Sequence, residues 1–489
     1  MTAASHRLLV RRLSADVETP VSAWLKLSEP GRGDWLLESV EGGRTRGRWS
    51  MIGLAPDLLF EVRGEAARVN RRWQTDRTAF EAVPEGPLPG LRRLVAGIAM
   101  DLPSDLPPAT PFLAGYFGYE TVALVERVPQ AGADPLGLPD MVFVRASVLL
   151  VFDRLKDELL LMAPVWAEGG DLEAAARQAD ERLDAAEARL LQPVPATARL
   201  ADVPTADLVP VVAPARYAAM VAAAKEHIAA GDIFQVVLAQ RFTLDFPLPP
   251  FALYRALRRV NPSPFLYFLD LPGFAVAGSS PEILVRVRDG QVTIRPIAGT
   301  RPRGADAAQD RALAADLLAD PKERAEHLML LDLGRNDVGR VAVGGSVKVT
   351  EAFTIEEYSH VMHIVSNVVG TLRPDRDAID ALLAGFPAGT VSGAPKVKAM
   401  EIIAALEGER RGVYAGGVGY FAADGSMDSC IVLRTAVVKD GVCHVTAGAG
   451  IVADSVAAHE AAECQAKAGA LLAAARAALG EAAAPRFGQ

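Results

Sequence analysis

Apolar residues recur every second position in some stretches of this chain and every third or fourth in others, and the two periods predict its elements. WLLESVEG, DLLFEVRG, LAGYFGYE and MVFVRASVLLVFD alternate or run apolar between Gly, Pro and Asp, so they predict strands over the first 165 residues. Residues 171–191 are rich in Ala and charge and predict a helix. Pro193, Pro195, Pro204, Pro210 and Pro214 then mark a linker. A helix over Ala215–Ala230, stopped by Gly231, opens the second part. Beyond it FQVVLAQRFTL, FLYFLDL and FAVAGSSPEILVRVRDGQVTIRPIAG follow one another at hairpin spacing. IVLRTAVV (Ile431–Val438) reads as one further strand. The pattern predicts an α+β protein, an antiparallel β-sheet core flanked by helices. It divides into residues 1–165, a helix and proline-rich linker at 166–205, and a catalytic part at 206–489.

Composition narrows the function. At 489 residues, half of them hydrophobic, the chain can bury a large core. A net charge of -9 argues against nucleic-acid binding, which needs a basic surface, and Arg44–Arg48 is too short to supply one. Cys430, Cys443 and Cys464 have neither metal-ligand nor disulfide spacing. The N-terminus lacks the apolar core of a signal peptide, and no apolar run is long enough to span a membrane. The expected location is cytoplasmic.

Two Glu-x-x-Glu pairs carry the most pointed chemistry: Glu323/Glu326 in DPKERAEHLMLLDLGRND and Glu460/Glu463 in AAHEAAECQAKAGALLAAARAAL. Each stretch reads as a helix, and a spacing of three puts both carboxylates on one face. Two such faces brought together would suit Mg²⁺, which takes one or two carboxylates and leaves positions for an anionic substrate. A single pair of this kind is usually a solvated face; the neighbouring motifs shift the balance. Arg434 interrupts an apolar run, so it either faces water or takes an anion in a bidentate fork. Glycine-rich turns flank it, VYAGGVGYF (Val413–Phe421) and TAGAGIVADS (Thr446–Ser455), where backbone N–H groups can approach an anion. PIAGTRPRG (Pro296–Gly304) is a further small-residue turn, with Thr300, Arg301 and Arg303. In SHVMHIVS, His360 and His363 fall on opposite faces of a strand, so only one can look into a site. Glu282, after small residues in GSSPEILVRV, is a solvated edge charge or a site acid.

Taken in order, PIAGTRPRG, DPKERAEHLMLLDLGRNDVGRV, YSHVMHIVS, FPAGTVSGAPKVKAMEII, YAGGVGYF, DSCIVLRTAVV and TAGAGIVADSVAAHEAAE resemble the chorismate-utilising enzymes. The likeness covers nearly all of residues 206–475. LLES (Leu36–Ser39) and RWSMIG (Arg48–Gly53) resemble the anthranilate synthase component I branch of that family. Isochorismate and salicylate synthases carry a water-activating Lys where this chain has Gln235. Aminodeoxychorismate synthases carry a nucleophilic Lys where this chain has Ala298, and an alanine cannot form a covalent amine intermediate. Both departures point to ammonia attacking chorismate directly. An aminodeoxychorismate synthase and a non-catalytic tryptophan-sensing relative are the alternatives.

The resemblance implies roles for particular residues. Glu326 and Glu463 would be the direct Mg²⁺ ligands, with Glu323 and Glu460 behind them. Tyr414 and Arg434 would hold the enolpyruvyl carboxylate of chorismate, with the backbone of Gly448, Ala449 and Gly450 closing round it. Gly299 and Thr300 would lie against the substrate, and Lys467 would add positive charge. Glu282 would protonate the departing hydroxyl and His363 would handle the proton lost as pyruvate leaves. Ser39, Pro264, Phe265 and Leu266 would bind L-tryptophan as a feedback inhibitor. No cysteine sits in a glutaminase elbow, so ammonia would come from glutamine through a separate amidotransferase subunit, in a heterotetramer.

Overall fold

The computed structural model describes residues 6–41, 45–107, 110–166, 171–196, 198–358 and 361–484. Its strands form two 12-stranded sheets. The first runs from Arg7–Ser14 at one edge through Glu158–Val165, Val148–Asp153, Thr45–Leu54 and Asp34–Glu41 to Phe265–Leu271. It continues through Phe274–Ser280, Thr435–Lys439 and Val442–Ile451 to Gln235–Asp245 and, last, Val209–Pro210. The second runs from Ile297–Pro302 through Val361–Thr371, Gln291–Ile294, Ile283–Arg288, Met427–Ile431 and Gly417–Ala422. It then takes in Pro111–Phe117, Met141–Arg145, Leu58–Arg63 and Ala66–Asn70. Adjacent strands pair antiparallel, and both sheets take strands from either side of the proline-rich segment. One continuous apolar core joins them.

Strands pass from one sheet to the other at two corners. At the first, Thr45–Leu54 and Leu58–Arg63 meet across residues 55–57, beside Met141–Arg145 and Val148–Asp153, which meet at Ala146 and Ser147. MVFVRASVLLVFD is therefore two strands in different sheets, its apolar run unbroken because both halves are buried on both faces. At the second corner Phe274–Ser280 passes into Ile283–Arg288 through Pro281 and Glu282. Alongside, Met427–Ile431 passes into Thr435–Lys439 through residues 432–434. IVLRTAVV is thus not one strand: Arg434 stands in the bend, with φ +48 in the left-handed region. The ladder survives the turn, since Ser279 N donates to Arg434 O at 3.2 Å and Ile431 N to Glu282 O at 3.0 Å. Such bends are how a chain makes the corner of a two-sheet stack.

The helices lie outside. Leu172–Leu190, capped by Asp171, packs on the Arg7–Ser14 edge, where Arg11 meets Asp180, Asp184 and Glu187. Pro250–Val260 is locked to Asp34–Glu41 by the buried Glu38 carboxylate. Glu38 accepts two bonds from Arg258 at 2.8 Å, one from Arg154 at 2.8 Å and one from the Tyr254 hydroxyl at 2.8 Å. Burial works against this anion, but Arg258 outweighs it and holds the carboxyl below the usual glutamate range. Glu38→Ala would leave Arg258 buried without its anion and should cost about 3–5 kcal/mol. Urea unfolding checks this; a midpoint within error of the parent would contradict it.

Candidate active site

The second corner holds two of the residues singled out in the sequence, Glu282 and Arg434. Glu282 is buried there, and its Oε1 accepts from the Thr390 hydroxyl at 2.9 Å. Burial pushes the carboxyl up to about 8, against the opposing effect of the Thr390 hydroxyl and the Ile297 backbone N–H. It is therefore a neutral acid at neutral pH. Arg434, in the neighbouring bend, makes no ion pair within 4.0 Å among the described residues, and burial lowers its affinity for a proton. Tyr358 feels the charges of both Glu282 and Arg434, and its ring sits edge-on to His363 with centroids 5.5 Å apart.

His363 lies on Val361–Thr371, opposite Thr300 of Ile297–Pro302. A carbonyl can only accept, so the 2.9 Å contact between His363 Nδ1 and Gly299 O puts the ring proton on Nδ1. The Thr300 hydroxyl lies 3.1 Å from the same nitrogen. That leaves the Nε2 lone pair open. Burial, joined by the charge of Arg434, lowers this imidazole to about 4 against the Gly299 bond and the charge of Glu356. The ring is neutral across the physiological range and protonates only as pH falls through that value. Gly299 has φ +72, and a Cβ there would stand 3.1 Å from Glu323 Oε2, so this turn needs glycine and brings the histidine strand up to the acidic helix. His360 lies outside the described residues.

Both acidic pairs stand near the N-termini of their helices, where the helix dipole favours negative charge. Pro321–Gly339 is capped by Asp320, which Arg301 grips at 2.8 Å, while Arg301 also reaches Glu323 at 3.4 Å. Ala457–Ala483 is tied to Val442–Ile451 by Lys467, whose Nζ is 2.7 Å from Glu463 and donates to Gly448 O at 2.9 Å. Burial, then the charges of Glu323 and Glu463, push the Glu326 carboxyl up, while Lys467 and Lys322 oppose them. Carboxylates from two separate helices thus feel one another. Glu460 instead bears on Tyr217. Among the described residues no three His, Cys, Asp or Glu converge closely enough to enclose an ion. The donor chemistry fits a hard divalent cation all the same, because such an ion binds through one or two carboxylates and water. Crowded like charges, relieved in part by Arg301, Lys322 and Lys467, are what it would neutralise.

Across Val442–Ile451, Gly448, Ala449 and Gly450 pair with Ala239, Leu238 and Val237 of Gln235–Asp245. A Cβ on Gly448 would stand 2.7 Å from the Tyr414 hydroxyl, so glycine lets the buried tyrosine meet the strand. Gln235 is buried against Gly450, and Ala298 is buried opposite Ile364. Away from this site, Ser39, Pro264, Phe265 and Leu266 line one cavity of about 700 Å³ between the sheets, together with Glu38, Trp49, Pro281, Ile283 and Tyr358. Thr390 and Tyr358 are site neighbours that the sequence reading passed over, although both stand inside motifs it quoted.

A family described as chorismate binding enzyme matches residues 74–473. Anthranilate synthase component 1 of Cereibacter sphaeroides is 54% identical over 455 residues, covering 93% of this chain and 91% of that protein. The protein of that name from Thermus thermophilus is 47% identical, covering 94% and 95%. The crystal structure of anthranilate synthase component I from Streptococcus pneumoniae superposes with a TM-score of 0.77 at 36% identity, over 94% of this chain and 99% of that one. The menaquinone-specific isochorismate synthase of Escherichia coli superposes at 0.72 over 96% of this chain and 95% of its own, and at 20% identity it attests the fold alone.

The close approach of Gly448 to Tyr414 is testable. Gly448→Ala should destabilise the protein by about 1–3 kcal/mol through overpacking. Combined with Tyr414→Phe, which removes the crowding oxygen, it should cost less than the sum of the two single changes. Urea unfolding of the four proteins checks this, and strict additivity would contradict it.

Proposed function

The chain belongs to the chorismate-binding enzymes, and from that premise we propose its reaction and the part each residue plays. It is the large subunit of an anthranilate synthase, the enzyme that converts chorismate and ammonia to anthranilate and pyruvate on the way to tryptophan. One juxtaposition supports the mechanism: the buried Glu282 stands at the sheet corner beside the bend that bears Arg434, and the charge of Arg434 reaches the His363 ring, whose Nε2 is open.

Arg434 and the Tyr414 hydroxyl hold the enolpyruvyl carboxylate, and the Gly448–Gly450 backbone closes over it. Gly299 and Thr300 lie against the ring. Ammonia forms the new bond at C2 while the ring π electrons shift and the C4–O bond breaks. Glu282 gives its proton to that departing oxygen, which leaves as water, and aminodeoxyisochorismate results. In the second stage His363 Nε2 takes the C2 proton, the C3–O bond breaks, and pyruvate departs as its enolate, which takes up a proton at its methylene carbon. The ring becomes aromatic, so this stage runs one way. Glu326 and Glu463, with Glu323 and Glu460 behind them, would hold a magnesium ion, which when bound would supply the hard positive charge that neutralises the ring carboxylate. Gln235 and Ala298 supply neither a water-activating amine nor a covalent nucleophile, which leaves ammonia as the attacking group.

All three cysteines are buried, so none is placed to serve as a glutaminase nucleophile. Ammonia then comes from a glutamine amidotransferase partner, and we assign the assembly as a heterotetramer working in the cytoplasm. No helix among the described residues is long and apolar enough to cross a membrane. L-Tryptophan is assigned to the 700 Å³ cavity at Ser39 and Pro264–Leu266. It favours one conformer over another and so lowers the population competent for chorismate.

Chorismate supplied with Mg²⁺ and an ammonium salt at alkaline pH should yield fluorescent anthranilate without a second enzyme; aminodeoxychorismate as the sole product would reject the reaction. Glu326→Gln should reduce Mg²⁺-dependent turnover by about 100-fold or more with the circular dichroism unchanged. Turnover at the parental rate would remove the metal assignment. Ser39→Phe should retain activity while losing inhibition by tryptophan, and an unchanged inhibition curve would discard that cavity.

A further inference from the structure

Glu282 is aimed by a relay that has no part in binding substrate. We infer that Thr390 orients the Glu282 carboxyl for proton donation and that Arg411 holds Thr390 where it can do so; this rests on the reading of Glu282 as the acid. The Thr390 hydroxyl donates to Glu282 Oε1 at 2.9 Å, and the Ile297 backbone N–H also favours the charged carboxyl. A neutral carboxyl has one O–H to give. With the Thr390 hydroxyl on Oε1, rotation of the carboxyl is restrained and its proton is left free for another partner.

Thr390 stands in a single turn of 3-10 helix, Gly389–Val391, too short to hold its own geometry. Arg411 supplies the support. It is buried, and its NH1 donates to Val391 O at 2.7 Å, directly beside Thr390. Its NH2 donates to Val237 O at 2.7 Å, on the strand that faces Gly450. Glu407 takes two further bonds, from Nε at 2.8 Å and NH2 at 2.6 Å, and so compensates the buried charge. The guanidinium also lies over the Tyr119 and Tyr414 rings, 4.8 and 5.6 Å from their centroids. One planar cation therefore fixes the turn bearing Thr390 relative to the glycine strand and Tyr414. A lysine could not make this set of bonds, since it lacks the planar fork. Both Thr390 and Arg411 are positioning residues.

The test is the pH dependence of kcat for the whole chain with saturating Mg²⁺, ammonium and chorismate. In the parent, kcat should fall as pH rises through the Glu282 value of about 8, because the acid is lost above it. Thr390→Val removes a donor that favours the carboxylate, so the alkaline limb should move to higher pH. Its kcat should fall about tenfold, the worth of one hydrogen bond, with the KM for chorismate little changed. Thr390→Ser should restore limb and rate. Arg411→Lys should move the limb in the same direction, and adding it to Thr390→Val should move the limb no further. If Glu282→Gln abolishes the limb while Thr390→Val and Arg411→Lys keep the parental one, the relay is overturned and the acid stands. If Glu282→Gln keeps the parental limb, the acid assignment itself falls and the relay with it.

Discussion

A partly buried guanidinium with no carboxylate within 4.0 Å among the described residues is the constraint on which this structure turns. Arg434 sits in a strained left-handed bend between two sheets, makes no ion pair within 4.0 Å among the described residues, and is less able to hold its charge for being buried. An unpaired charge withdrawn even partly from water is costly, as is a non-glycine residue in that backbone region. A carboxylate ligand cancels the first cost on arrival. Burial first, and then the same positive charge, keep the nearby imidazole of His363 unprotonated, so the group proposed to attract an anionic substrate also helps prepare the proposed base.

The corner explains why two sites share one wall. Pro281 and Ile283 line the 700 Å³ cavity, while Glu282, between them, reaches the other way to Thr390. Alternation along an extended chain separates the two faces by a single residue. Tyr358 repeats the arrangement, lining the cavity and meeting the His363 ring. An occupant of the cavity therefore bears on the backbone that carries the acid and on the ring that packs against the base. No long path between the sites is needed.

Much of this was legible in the sequence. The Glu-x-x-Glu spacing on helical patterns placed each acidic pair on one face, and the small residues of PIAGT and TAGAG marked where backbone comes close to Glu323 and to Tyr414. What could not be read was the corner. An apolar run looks the same whether it stays in one sheet or crosses to another, so MVFVRASVLLVFD and IVLRTAVV each read as one strand. For that reason Arg434 was weighed as a residue on one strand face or the other, when it belongs to neither. Thr390 was hidden because a hydroxyl among small residues has no periodic signature. Arg411, in GERRGVYAGG, looks like surface charge; only the carbonyls of Val391 and Val237, distant in sequence, reveal it as buried.

The central claim is that Arg434 trades folding stability for a carboxylate site. Its most direct test is to measure, on one Arg434→Met preparation, both urea unfolding and equilibrium binding of chorismate without ammonium, so that no turnover occurs. The account requires a variant at least as stable as the parent that binds chorismate at least about 100-fold more weakly, the scale of a lost charge-assisted pair. A variant that is markedly destabilised yet binds chorismate normally would contradict it.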